Sequence, residues 1–190
     1  AALEAQDMAG APAHVLGDYA EWLDASLANA FGENRIAEGA AMAARAPVDL
    51  RINPLKIIRL KALEAIGHLE PEPTPLSPLG LRITANAEGR VPHVQSEPAF
   101  LKGAIEVQDE GSQLVSLLTG AKPGMQVLDL CAGGGGKTLA IAARLANRGR
   151  LIAADIDPRK LDELRRRARR GGVTVAQAVH LEGGIWPPAL

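Results

Sequence analysis

The second half of the chain alternates between short apolar runs and helical patterns. Residues 127–130 and 151–154 are the apolar runs, and each is followed by a segment in which apolar residues recur every three or four positions. Short apolar runs bounded by turn residues are typical of buried strands, and strands that alternate with helices predict right-handed βαβ units in a parallel sheet. With a third strand expected between 173 and 181, we predict the first half of a doubly wound, Rossmann-like α/β domain over residues 108–190.

Helical patterns dominate the N-terminal part, residues 1–47. Apolar and aromatic residues recur at helical intervals over 16–31, which predicts one amphipathic helix closed by Gly32, and a second, alanine-rich helix follows to about residue 44. The first 13 residues lack a basic start followed by a continuous apolar stretch, so no secretory signal is predicted.

A strand and a helix are predicted next. Positions 48–52 alternate between apolar and polar residues, as in a half-buried strand. Asn53 and Pro54 then supply an N-cap and a proline at the first helical position, which predicts a helix that runs to Gly67. The proline-rich segment 70–78 lacks backbone donors and is predicted to be an extended connection.

Two further short strands complete this region. They are predicted near 81–83 and at 91–94, with a turn at 86–89 between them. Residues 48–107 are therefore expected to form a small α+β module of their own.

The overall charge does not point to a nucleic-acid partner. The chain has 21 Lys and Arg against 22 Asp and Glu, a formal charge of -1, so RNA affinity would have to come from local patches. Five of the arginines lie between 165 and 170, at the end of a predicted helix, where they either bind phosphates or form a solvated helix terminus.

Several classes of protein are excluded by composition. A single cysteine, Cys131, excludes an internal disulfide framework and a zinc site of several thiolates, and no apolar run approaches the length of a membrane span. The four histidines have no metal-ligand spacing. We expect a cytoplasmic protein without a metal and without a membrane partner.

A run of four glycines, Gly133 to Gly136, follows the first predicted strand of the parallel sheet. Backbone amides at a helix N-terminus face a ligand at this edge of such a sheet, and the missing side chains let the ligand approach closely. A dinucleotide site would require a third glycine where Thr138 stands. A P-loop fits the end of the run, including Lys137, but Cys131 occupies the place of its first glycine. A P-loop nucleotide hydrolase and a simple tight turn therefore remain alternatives.

Two carboxylates follow the predicted strands. Asp129 ends the first strand and Asp155 ends the second. The second can accept hydrogen bonds from ribose hydroxyls and the first can face an ammonium group, so an adenosine that carries a charged amino acid, such as S-adenosylmethionine, satisfies both. Alternatively, Asp155 helps Asp157 to cap the next helix.

Three collinear motifs resemble the ribosomal RNA cytosine-5 methyltransferases. Residues 129–138, D-L-C-A-G-G-G-G-K-T, resemble the D-x-C-A-x-P-G-G-K-T loop of that family. Residues 107–113 resemble its V-Q-D-E-x-S-Q segment, and residues 45–56 resemble the R-x-P-x-x-x-R-x-N-x-x-K segment of its RNA-binding module. Three motifs in order, within a match over roughly residues 20–182, are far more specific than one glycine loop.

The resemblance implies S-adenosylmethionine as cofactor, RNA as partner and a set of site residues. Where the family has a proline in the loop, this chain has Gly134 or Gly135, and where a further Asp follows the third strand in relatives, Glu182 is its substitute. The expected cofactor-binding residues are Asp129, Cys131, Ala132, Gly133, Gly134, Gly135, Gly136, Lys137, Asp155 and Glu182, and the expected RNA-binding residues are Arg45, Arg51 and Lys56.

The resemblance does not extend to the catalytic residues. In the family, one cysteine thiolate adds to carbon 6 of cytosine and a second assists product release, and both lie beyond the third strand in P-C-S and T-C-S motifs. This sequence contains neither motif, and Cys131 belongs to the cofactor loop. We therefore predict no catalytic residue, an incomplete sheet and a chain that is inactive alone. A non-catalytic RNA-binding module is the remaining alternative.

Overall fold

In the computed structural model, the described residues are 8, 10–44, 46–85 and 92–185, and they divide into two units, with the boundary between Ala46 and Pro47. The first unit is helical. Its helices are α1 (Ala13–Leu16), α2 (Asp24–Phe31) and α3 (Arg35–Ala43), with 3-10 turns at Glu21–Leu23 and Gly32–Asn34.

The single helix predicted over 16–31 is wrong, because the chain breaks between α1 and α2. Asp18 has a left-handed φ of +52°, which ends α1. The Tyr19 ring then fills the space beside Gly17 and Gly39, and its hydroxyl donates to the Asp24 carboxylate at 2.7 Å. Helical periodicity continued across the break, so the pattern alone did not reveal it.

The second unit contains an antiparallel sheet and a parallel sheet. The antiparallel sheet has the order β2-β3-β1-β4, and its apolar face packs on α4 and α5. Leu50, Ile66, Leu81 and Ile105 form the fully buried centre of this packing. The bounds are β1 Val48–Ile52, β2 Glu72–Pro73, β3 Gly80–Ile83, β4 Ile105–Val107, α4 Arg59–Ile66 and α5 Pro98–Leu101.

The helix predicted from Asn53 begins later, at Arg59. Asn53 is 4% exposed. Its Oδ1 accepts from the Leu55 amide, as an N-cap side chain does, and its Nδ2 donates to the carbonyls of Gly103 and Gly171, both at 2.8 Å. The amides of Lys56 and Ile57 donate to the Asn53 carbonyl, so a single turn forms there, but it does not continue into α4.

One other prediction for this module agrees with the structure in part, and another falls partly outside the described residues. The proline-rich segment 70–78 is extended but contributes β2 to the sheet edge. The predicted turn at 86–89 lies outside the described residues, as does the start of the strand predicted at 91–94, and Val94–Ser96 forms a 3-10 turn.

The parallel sheet has the order β5-β6-β7, so the predicted Rossmann-like α/β arrangement is confirmed. Leu151, Ala153, Leu161 and Leu164 are buried between strands and helices. The helix after the second strand is capped as predicted, by the Asp157 carboxylate. The bounds are β5 Gln126–Asp129, β6 Arg150–Asp155, β7 Ala176–His180, α6 Glu110–Leu118, α7 Gly136–Arg144 and α8 Pro158–Gly171.

Buried polar contacts join the two sheets. Glu106 of β4 is 1% exposed, and it accepts from Arg170 at 2.6 Å and from Arg167 at 3.1 Å, both on α8. Asn53 adds its bond to the end of α8. Because both sheets lie in one unit, the boundary between residues 107 and 108 stays a prediction.

Candidate functional site

The glycine loop connects β5 to α7 at the carboxyl edge of the parallel sheet. Gly133 and Gly135 have left-handed φ values of +53° and +86°. A Cβ on Gly135 would lie 2.7 Å from the Leu164 side chain, so this glycine lets the loop pack on α8. A Cβ on Gly133 would meet nothing within 4 Å, so the loop is open to an incoming ligand there.

Asp155 ties this loop to the neighbouring strand. Its carboxylate is 9% exposed and accepts from the Gly133 amide at 2.8 Å and from the Asp157 amide at 2.9 Å. The bond from Asp157 is the main reason that the pKa of Asp155 is lower than usual; the Gly133 amide acts in the same direction, and burial opposes both. Asp155 is therefore an ionised carboxylate that supports both the loop and the start of α8.

Asp129 lies at the end of β5, on the other side of the loop. Its Oδ2 accepts from the buried Thr138 hydroxyl at 2.6 Å, which draws the carboxylate toward the first turn of α7. A carboxylate accepts several hydrogen bonds, so this contact leaves acceptor sites for a ligand.

A cavity of about 230 Å³ opens beside the loop. Five predicted site residues line it: Asp129, Cys131, Ala132, Gly136 and Lys137. Its other wall comes from the segment before α6, from the first turn of α6 and from α8, through Val107, Gln108, Asp109, Ser112 and Arg167. None of the residues of the V-Q-D-E-x-S-Q motif, 107–113, was predicted to belong to the site, although the position of this motif just upstream of the loop could have indicated this wall.

The other predicted site residues do not line this cavity. The Gly134 carbonyl accepts from Arg167 at 2.8 Å, so α8 holds the outer side of the loop. Glu182 is exposed in the 3-10 turn that follows β7. The Leu181 amide just before it donates to the Asp155 carbonyl, so this turn begins beside the end of β6.

The predicted RNA-binding residues have different surroundings. Arg51 is only 3% exposed; its Nε donates to the Gln108 Oε1 at 2.6 Å, and burial lowers its pKa to about 10. A buried guanidinium cannot reach a phosphate, so the prediction for Arg51 is corrected. Lys56 is exposed, and Arg45 lies outside the described residues.

The arginine cluster on α8 is not uniformly solvated. Arg167 and Arg170 bind Glu106, and the Arg170 guanidinium lies 4.0 Å from the centroid of the Phe100 ring. These residues line a cavity of about 530 Å³ together with the exposed Arg166. The two inner arginines hold the fold together, and the neighbouring arginines remain available to solvent.

A glycine loop and an acidic strand end at the carboxyl edge of a parallel sheet are features of Rossmann-like domains that bind nucleosides, and the fold comparison identifies the class as Rossmann-like methyltransferases. A methyltransferase homolog from Pyrococcus horikoshii has the same fold, with a TM-score of 0.77 and 26% identity over 90% of this chain and 55% of that chain.

Sequence comparison gives the family within this class. Residues 116–185 match the family model "16S rRNA methyltransferase RsmB/F". A probable ribosomal RNA small subunit methyltransferase B from Synechocystis sp. is 31% identical over 74% of this chain and 32% of the relative. A 28S rRNA (cytosine-C(5))-methyltransferase from Mus musculus is 34% identical over 44% of this chain and 18% of the relative. The predicted resemblance to the ribosomal RNA methyltransferases is confirmed, over residues 116–185 by the family model and over most of the chain by the Synechocystis relative.

The chain spans about a third of the length of the Synechocystis relative. Across the part of the chain that the structure describes, no helix is long and apolar enough to cross a membrane. Within the same ranges, His, Cys, Asp and Glu side chains form no group of three or more that could hold a metal ion.

Proposed function

We propose that this chain is the cofactor-binding and RNA-contacting part of an S-adenosylmethionine-dependent RNA cytosine-5 methyltransferase that acts on ribosomal RNA. The observation that carries this proposal is the ionised Asp155 carboxylate, hydrogen-bonded to the Gly133 amide beside a loop that is open at that glycine. The proposed cofactor contacts are Asp129, Cys131, Ala132, Gly133, Gly134, Gly135, Gly136, Lys137, Asp155 and Glu182.

The residues present fit S-adenosylmethionine. Ribose hydroxyls are donors and suit the Asp155 carboxylate, whose lowered pKa keeps it ionised at neutral pH. The ammonium of the amino-acid end suits Asp129, and the exposed Lys137 suits its carboxylate. When bound, the cofactor supplies an electrophilic methyl group on a sulfonium sulfur. The protein residues bind and orient it.

A nucleotide triphosphate fits the same residues less well. Asp129 and Asp155 would face a polyanion, and carboxylates beside a triphosphate are favourable only with a bridging cation. The matches to ribosomal RNA methyltransferases also do not favour the P-loop alternative.

RNA is the proposed substrate, and the antiparallel sheet module is proposed to help hold it. Lys56 is exposed within the loop that joins β1 to α4, and Arg45 belongs to the same sequence motif. We assign no catalytic residue, because the P-C-S and T-C-S motifs do not occur in this sequence. These 190 residues are therefore expected to bind cofactor and RNA without transferring the methyl group.

Calorimetric titration with S-adenosylhomocysteine, without magnesium, tests the proposed cofactor site. We expect saturable binding, and we expect Asp155→Asn to weaken it by about tenfold or more, because a charge-assisted hydrogen bond is lost. Asp162→Asn is the matched control, since Asp162 is an exposed acid on α8. Asp155 also supports the loop, so thermal melts must accompany the titration.

Two outcomes would contradict this function. Binding of ATP with magnesium, without binding of S-adenosylhomocysteine, would support the nucleotide hydrolase. RNA binding without cofactor affinity would support a non-catalytic RNA-binding module. For the RNA contact, Lys56→Gln should weaken binding of a ribosomal RNA fragment at low salt, while Lys61→Gln, on the same module, should not.

A further inference from the structure

Gln108 carries a buried hydrogen-bond donor that has no partner. The residue is 7% exposed, and its Nε2 makes no hydrogen bond to any residue that the structure describes. A buried polar group without a partner destabilises the fold, and such groups are uncommon in folded proteins. The position of this donor therefore requires an explanation.

The orientation of the Gln108 carboxamide is determined by Arg51. The Arg51 Nε donates to the Gln108 Oε1 at 2.6 Å. A guanidinium has no acceptor, so the carboxamide oxygen must face it and the Nε2 must point the other way. On that side, Nε2 lies 3.6 Å from where a Cβ on Gly136 would be, at the first residue of α7.

The N-terminus of α7 adds further donors at the same place. α7 has nine residues, and its backbone bonding begins with the Leu139 amide, which donates to the Gly135 carbonyl at 2.8 Å. The amides of its first turn therefore have no partner inside the helix, and they carry the positive end of the helix dipole. Lys137 and Arg167 line the same cavity of about 230 Å³.

The two carboxylates on this cavity each accept from a protein donor, and the acceptor sites that remain on Asp129 suit the ammonium of the same amino-acid end. Asp129 accepts from the Thr138 hydroxyl at 2.6 Å, and Asp109 accepts from the Ser112 amide at 3.1 Å as the N-cap of α6. The remaining groups that face the first turn of α7 are donors and cations, so the complementary ligand group is an anion.

We propose that Gln108 Nε2, the first-turn amides of α7 and the Lys137 ammonium bind the amino-acid carboxylate of the cofactor. This inference rests on the proposed function, and it assigns a binding role to a residue outside the glycine loop. Gln108 then distinguishes nucleosides that carry the amino-acid end from nucleosides that lack it.

Gln108→Glu is the informative variant. It keeps an oxygen for Arg51, so the buried guanidinium retains its partner, and it replaces the donor that faces α7 with a negatively charged acceptor. Gln95→Glu is the control, because it changes the net charge equally at an exposed position away from this cavity.

Two ligands separate the amino-acid end from the nucleoside: S-adenosylhomocysteine has the carboxylate, and 5′-methylthioadenosine lacks the whole amino-acid end. In calorimetric titrations, Gln108→Glu should lose about tenfold to a hundredfold in affinity for S-adenosylhomocysteine, the amount expected for a hydrogen bond to a charged group. Its affinity for 5′-methylthioadenosine should stay within about twofold of wild type. Gln95→Glu should change neither affinity.

The possible failures are distinguishable. If the wild-type chain binds neither nucleoside, the proposed function itself is wrong. If a folded Gln108→Glu binds S-adenosylhomocysteine as tightly as wild type, the carboxylate site is wrong while the function stands. An equal loss for both ligands would mean that Gln108 only supports the shape of the pocket, which also overturns the inference.

Discussion

Replacing Glu106 with Gln should destabilise the second unit strongly, although Glu106 lies outside the proposed cofactor site. The side chain is 1% exposed on β4, and it accepts hydrogen bonds from Arg170 and Arg167 at 2.6 and 3.1 Å. It also lies opposite the buried Arg51 on the neighbouring strand. Gln has nearly the same shape, so the substitution removes the charge without leaving a cavity.

The expected loss in the free energy of unfolding depends on how deeply Glu106 and its arginine partners are buried. Removing one partner of a fully buried ion pair costs about 3–5 kcal/mol, because the other charge is left uncompensated. The side chains of Arg167 and Arg170 remain 20% and 23% exposed, so they can partly rehydrate. We therefore expect a loss of about 2–3 kcal/mol in the free energy of unfolding. The Glu106 charge also raises the pKa of Arg51 against the effect of burial, so that pKa should fall below its present value of about 10.

Urea unfolding at pH 7, followed by far-UV circular dichroism, measures this effect. Glu163→Gln is the control, because Glu163 also lies near Arg167, at 3.8 Å, but is 52% exposed. Such exposed pairs contribute at most about 1 kcal/mol, and we expect a change below about 0.5 kcal/mol. If Glu106→Gln unfolds within about 0.5 kcal/mol of wild type, Glu106 does not join the two sheets as argued.

Two further predictions concern the glycine loop. Gly135→Ala should lower the free energy of unfolding by about 2–4 kcal/mol, because its Cβ would clash with Leu164 at a left-handed φ, whereas Gly133→Ala, at an open position, should cost only about 1 kcal/mol. Because the pKa of Asp155 is lower in the folded state, its ionised carboxylate stabilises the fold. This stabilisation is complete above the unfolded pKa of about 3.9 and is lost as pH falls through the lower folded pKa. Melting temperatures between pH 5 and pH 3 should therefore fall less steeply for Asp155→Asn than for wild type.

Clear results would refute these two predictions. Equal destabilisation by the two alanine substitutions would mean that the loop does not pack on α8 through Gly135. If the melting temperatures of wild type and Asp155→Asn fall in parallel with pH, the hydrogen bonds from the two amides to the carboxylate do not stabilise the folded state.

The sequence by itself determined the parallel α/β architecture and the location of the loop. Strand and helix periods are local properties, so the apolar runs and the Asp157 cap were sufficient to predict β5, β6 and α8. Parallel topology brings the carboxyl ends of neighbouring strands to one edge of the sheet, so the proximity of Asp155 to the glycine loop could also be expected from the order of the elements. The roles proposed for the individual site residues remain predictions.

Only the tertiary structure decided which polar side chains are buried and what they contact. Arg51 was predicted to be an RNA contact, yet it lies in the interior and orients Gln108. Arg167 bonds to Glu106, 61 residues away in sequence, and Asn53 bonds to Gly171, 118 residues away. A local pattern shows which face of a strand is apolar, but a buried charge depends on partners brought together by the packing of two sheets, and those partners are distant in sequence.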